Sequence, residues 1–112
     1  MTKDIAKFIG SKYMDTVGVH MADLAKIISE DIKSDVKKGN LPKGYYTVDA
    51  FESIAGYSIA VDGCLDSFLE DSDKEFYKQK ILDMVNDYNY FKGSASLEEK
   101  DRRFYNEDVV LW

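Results

Sequence analysis

Apolar side chains in this chain recur at steps of three and four, and that spacing constrains its fold more than any other feature. Over residues 16–38, Val17, Met21, Leu24, Ile28 and Ile32 fall on one side of a helical wheel. Asp23, Lys26, Glu30, Lys33 and Lys37 fall on the other. This is the pattern of an amphipathic helix with one buried stripe. Lys37-Lys38-Gly39 supplies its stop signal, with cations at the negative helix end and a glycine for the cap. The same spacing predicts a helix over 3–14 through Ile5, Phe8, Ile9 and Tyr13. It predicts another over 73–91 through Tyr77, Ile81, Met84, Tyr88 and Phe91.

Capping signals point the same way. Asp49-Ala50-Phe51-Glu52, Ser72-Asp73-Lys74-Glu75 and Ser96-Leu97-Glu98-Glu99 have the form of a capping box, or approach it. They would open helices over 48–70, 73–91 and 97–105. No segment shows sustained period-2 alternation, and no Asn-Gly or Asp-Gly turn separates two β-rich runs. Pro42, the single proline, lies in Asn40-Leu41-Pro42-Lys43-Gly44 and marks the clearest break. The expected architecture is all-α: residues 1–112 form a single helical domain, a compact bundle of four to five helices with short loops. The apolar ending Val109-Val110-Leu111-Trp112 is expected to fold back onto the bundle, because leaving it in water forfeits about 25 cal/mol per Å² of apolar surface.

Composition excludes several classes of activity. At 112 residues the chain supports one core. No apolar run is long enough to span a membrane, and the N-terminus lacks the apolar stretch of a signal peptide, so a cytoplasmic protein with no membrane partner is expected. One cysteine, Cys64, and one histidine, His20, cannot build a structural zinc site. Cys64 reads as a buried inert thiol and His20 as a packed or capping residue. A calcium loop beginning at Asp71 would place Phe76 where glycine is needed and Leu82 where a bidentate glutamate is needed. No catalytic residue, cofactor or metal is therefore assigned.

The charge is concentrated. Residues 41–75 carry two basic and eight acidic side chains, a net of −6 that equals the formal charge of the whole chain. On the expected helix over 48–70, Asp62, Asp66 and Glu70 follow one another at i, i+4 and i+8. They form a ridge of like charge at the negative end of the helix dipole, and Asp73 continues it. On the far side of that helix, Gly56, Ala60, Gly63 and Ser67 make a stripe of small residues. Glycine inside a helix costs about 1 kcal/mol relative to alanine, so Gly56 and Gly63 call for a close neighbour, either a crossing helix or a partner surface. Eight tyrosines, among them Tyr45 and Tyr46 after the loop proline, add side chains favoured at protein interfaces.

These features point to a small acidic, non-catalytic protein-binding module. Its expected partner surface comprises Asp62, Asp66, Glu70, Asp73, Tyr45, Tyr46, Gly56 and Gly63. The expected partner is another protein with a basic surface, not nucleic acid directly, and a homodimer is also compatible with the small-residue stripe. Many basic surfaces in cells bind nucleic acid, so the sharpest form of the reading is an inhibitor, antitoxin or immunity-type protein of the kind that phages and mobile elements encode. Two alternatives are weighed against it. A Mg²⁺-dependent all-α nucleotide pyrophosphohydrolase would use paired acidic motifs such as Asp49-x-x-Glu52 and Glu70-x-x-Asp73. A helix-turn-helix regulator would read DNA through Met14–Asp23, a segment that offers no Arg, Lys, Asn or Gln to base edges.

Overall fold

The structure, a computed structural model, describes residues 7–54, 56–92 and 101–112. It is an α/β fold and not a four- to five-helix bundle. Among the described residues three helices, α1 (Tyr13–Thr16), α2 (Met21–Lys37) and α3 (Asp71–Asn86), accompany seven strands. β1 (Lys7–Ile9), β4 (Tyr90–Lys92) and β5 (Asp101–Arg102) form a small antiparallel sheet. β2 (Gly44–Ser53) and β3 (Gly56–Leu65) form a long hairpin. On the opposite edge of β3, β6 (Tyr105–Asn106) and β7 (Val110–Leu111) pair in parallel.

The hairpin is the main correction. Residues 48–65, expected in one helix, are two antiparallel strands paired from Gly44↔Leu65 to Ser53↔Gly56. The local composition favours this outcome, because Tyr45, Tyr46, Thr47, Val48, Phe51, Tyr57, Ile59 and Val61 are β-branched or aromatic. Period-2 alternation is hidden because both faces carry apolar residues. Tyr46, Val48 and Ala50 point to the core, while Tyr45 and Phe51 point away from it. Phe51, Ile54, Val61 and Leu65 fall at helical spacing by coincidence. Gly56 begins β3 at φ +132°, a conformation that side-chain-bearing residues rarely adopt, so its role is in the hairpin and not on a helix face.

The other expected elements fare unevenly. The apolar stripe of the second helix is confirmed: Met21, Leu24, Ile28 and Ile32 are buried on α2, although Val17 lies before the helix and is exposed. His20 caps α2, its Nδ1 accepting from the Ala22 N–H at 3.2 Å. The helix stops as expected, with the Lys38 and Gly39 N–H groups returning to the Ser34 and Val36 carbonyls. α3 buries Ile81 and Val85 and ends at Asn86, before Tyr88 and the strand at Tyr90. Its N-cap position is Glu70, not Ser72, and no side chain bonds to the first-turn N–H groups there. The expected helix over 3–14 lies partly outside the described residues, and its described part holds β1 and the start of the single turn α1. The expected helix over 97–105 lies partly outside the described residues, and its described part holds β5 and the start of β6. The C-terminal residues do pack, with Val109 and Leu111 buried beside β3.

α2 and α3 cover one face of the larger sheet. Their apolar side chains meet Tyr46, Ile59, Val61, Val109 and Leu111 in one core. Two polar side chains tie the chain ends to it. Asn89, almost fully buried, donates to the Phe104 carbonyl at 3.1 Å and accepts from the Tyr90 N–H at 2.8 Å. Arg103 donates to Thr16 Oγ1 at 2.8 Å, to the Thr16 carbonyl and to the Tyr88 carbonyl at 3.0 Å, and it stacks over the Tyr13 ring. A buried polar group costs free energy unless it is bonded, so both networks specify how the terminal segments dock.

Gly63 is closely packed, though by neighbouring strands and not by a crossing helix. A Cβ placed there would lie 2.8 Å from Tyr46 Cδ2 and Cε2 and 2.9 Å from Leu111 Cδ2. Its missing side chain is what lets the Tyr46 ring and the Leu111 side chain share the inner face. Replacing Gly63 with leucine is expected to lower unfolding free energy by about 1–3 kcal/mol through overpacking, measured by urea denaturation. A variant as stable as the parent would show that this contact is not tight.

Candidate surface on the open face of the sheet

Side chains alternate across a strand, so the face of β2 and β3 opposite the helices is set by register. Tyr45 pairs with Cys64, Thr47 with Asp62, Asp49 with Ala60 and Phe51 with Ser58. The parallel strands extend these rows. Tyr105 stands beside Ser58 and Val110 beside Asp62. The Trp112 N–H donates to the Gly63 carbonyl at 2.9 Å and its carbonyl accepts from the Leu65 N–H at 2.6 Å, which places Trp112 beside Cys64.

The resulting surface reads Tyr45–Cys64–Trp112, then Thr47–Asp62–Val110, then Asp49–Ala60, then Phe51–Ser58–Tyr105. Tyr45 is 72% exposed and Trp112 59%, and Phe51 and Val110 are also exposed. Cys64 is exposed as well, which corrects its expected burial. Ser58, at 5% exposure, is the covered member of these rows. Four large apolar side chains in water on one sheet face, with carboxylates set among them, are more than the scattered exposure expected of any surface.

The expected site residues are redistributed. Asp62 and Tyr45 lie on the open face. Tyr46 does not: its ring is buried, and its hydroxyl donates to the Pro42 carbonyl at 2.6 Å. Gly63 faces the core and Gly56 sits in the hairpin. Asp62, Asp66 and Glu70 do not form a helical ridge. Asp62 is in β3, and Asp66 follows the strand with its N–H bonded to the Lys43 carbonyl. Glu70 is the N-cap of α3, whose first turn holds Asp71 and Asp73. The inferred dipole penalty is therefore reversed, since carboxylates at a helix N-terminus are stabilised.

The alternatives lose their geometry too. Asp49 and Glu52 are on a strand, so they cannot form the helical acidic pair of a pyrophosphohydrolase. Glu70 and Asp73 span a cap and a first turn. Lys7–Ile9 is a strand, and residues 17–20 separate α1 from α2, so a recognition helix over 14–23 does not form. Among the described residues no three His, Cys, Asp or Glu side chains gather in a metal-binding group. Among them, too, no helix is long and apolar enough to cross a membrane. Phe51, Val110 and Trp112 were missed as surface residues. The signal that could have found Phe51 and Val110 was the β-propensity of their segments, since strand alternation fixes which of them face outward.

Tyr46 and Tyr88 are perturbed. Burial, then the proximity of Tyr77 and Asp66, pushes the Tyr46 hydroxyl up to about 12. Burial, then the hydrogen bond it donates to Asp31, holds Tyr88 well above the usual phenol range. A phenol whose folded pKa exceeds its unfolded value near 10 contributes stability that is complete below pH 10 and is lost as pH rises toward the folded pKa. The thermal midpoint should accordingly fall from pH 10 to 12, and Tyr46→Phe should make that fall shallower. An equal slope in the variant would exclude Tyr46 from the transition. At the helix N-terminus, Asp73→Lys should cost about 0.3–1 kcal/mol by chemical denaturation, with the loss shrinking as salt is added. Unchanged or higher stability would contradict the dipole assignment.

Comparison of the chain with family models, curated proteins and solved structures finds no match.

Proposed function

We propose that the protein is a non-catalytic binding module whose open sheet face docks onto a basic surface of another protein. The observation that carries this reading is the grouping of Tyr45, Phe51, Val110 and Trp112, all exposed, with Asp49 and Asp62 on one face. Tyrosine and tryptophan are the residues most enriched at binding hot spots, because they bury large area at small entropic cost. The carboxylates select the sign of the partner. With a net charge of −6, the chain would approach a positive surface under favourable long-range steering. Asp66, Glu70, Asp71 and Asp73 follow β3 in sequence, through the connection and into the first turn of α3.

A basic surface of this kind commonly serves nucleic acid, so the finer reading is an inhibitor-type protein that competes with nucleic acid for its partner. The test is affinity capture of the partner, followed by titration against Tyr45→Ala, Trp112→Ala and Asp62→Lys. Each aromatic truncation should weaken binding roughly 30-fold, the loss typical of a hot-spot side chain. Asp62→Lys should slow association and flatten its dependence on salt. Nucleic acid should compete with the wild-type protein for the captured partner. Normal binding by all three variants, each shown to be folded, would remove the open face as the docking surface.

A further inference from the structure

Among the described residues, strand β2 has an unpaired edge along its whole length. The Asp66 N–H donates to the Lys43 carbonyl, so the odd-numbered residues of β2 direct their backbone groups toward β3. The odd-numbered residues of β3 face the other way, as the bonds of Ile59, Gly63 and Leu65 to Glu107 and Trp112 show. It follows that Gly44, Tyr46, Val48, Ala50 and Glu52 point their N–H and C=O groups outward. Among the described residues no strand pairs with that edge. Natural edge strands are commonly kept apart by proline, lysine, bulges or short length. Residues 44–53 have ten positions and neither proline nor lysine.

We infer that this edge pairs with the same edge of a second copy, antiparallel about a twofold axis at Val48, to join the two sheets into one. Antiparallel partners must share a face, so odd residues meet odd and even meet even. Only the register centred on Val48 lets all five outward residues pair among themselves: Val48 with Val48, Tyr46 with Ala50, and Gly44 with Glu52. On the open face it sets Tyr45 across from Phe51 and Thr47 across from Asp49. Aromatic pairs and a hydroxyl–carboxylate pair are favourable cross-strand neighbours. Moving the axis to Asp49 would oppose two aspartates, and moving it to Thr47 would leave Glu52 unpaired.

The approach is open. Beside the edge runs a groove of about 320 Å³ lined by Ala22, Ala25, Lys26 and Ser29 of α2 with Val48, Asp49 and Ala50. The side chains there are mostly small. The second copy is the occupant that the register itself selects, since the edge is complementary to its own reverse.

Sedimentation equilibrium across a wide concentration range tests the pairing, with circular dichroism and thermal midpoints to establish that each variant is folded. The wild-type chain should form a dimer and nothing larger, because pairing consumes the β2 edge. Ala50→Pro removes an outward donor in each protomer and should abolish the dimer, since proline is tolerated on an unpaired edge. Thr47→Asp should raise the dimer dissociation constant about tenfold by creating two aspartate pairs across the axis. Thr47→Lys should leave it unchanged or lower it. A wild-type chain that stays monomeric, growth beyond a dimer, or equal effects of Thr47→Asp and Thr47→Lys would overturn the inference. If Ala50→Pro does not fold, the opposite signs at Thr47 decide alone.

Discussion

Strand β3 is bonded along both edges, antiparallel to β2 and parallel to β6 and β7, and this double pairing decides where every neighbouring side chain points. Its inward residues Ile59 and Val61 meet the apolar faces of α2 and α3. Its inward glycine, Gly63, leaves room for Tyr46 from one side and Leu111 from the other. The C-terminal residues gain their order from the same strand: Leu111 is buried on the core side, while Val110 and Trp112 are turned to solvent. A one-residue slip of any of these strands would exchange the core face for the open one.

That dependence links the core to the proposed binding surface. The carboxylates Asp49 and Asp62 and the exposed Tyr45, Phe51, Val110 and Trp112 come from three separate stretches of chain. They share a surface only because the register aligns them in rows. The helices contribute nothing to that face, but they hold it rigid from behind. Arg103 and Asn89 secure the segments that lead into β6, each through several hydrogen bonds in surroundings where an orphaned polar group is costly.

The acidic middle of the chain also changes meaning once folded. In a single helix, Asp62, Asp66 and Glu70 would repel one another and oppose the dipole. In the fold they are divided among a strand, a connection and the start of α3, where the helix dipole favours Glu70, Asp71 and Asp73. The net charge is unchanged by this. Attraction to the proposed basic partner comes from the open face and from the overall charge.

By itself, the sequence determined the features that depend on near neighbours. The buried stripe of α2, its stop at Lys38-Gly39, the capping role of His20 and the packing of Val109 and Leu111 were all legible, because helical periodicity, cap chemistry and apolarity act over a few residues. The fold class was not. Residues 44–65 carry apolar side chains on both strand faces, so neither period dominates, and the choice between helix and hairpin falls to tertiary contacts. Pairing with β6 and β7, more than forty residues away, and the fit of Tyr46 over Gly63 settle it. The open face was hidden for the same reason. Tyr45 and Asp62 could be named as surface candidates, but Tyr46 could not be told from Tyr45, because only the strand register turns one ring into the core and leaves the other in water.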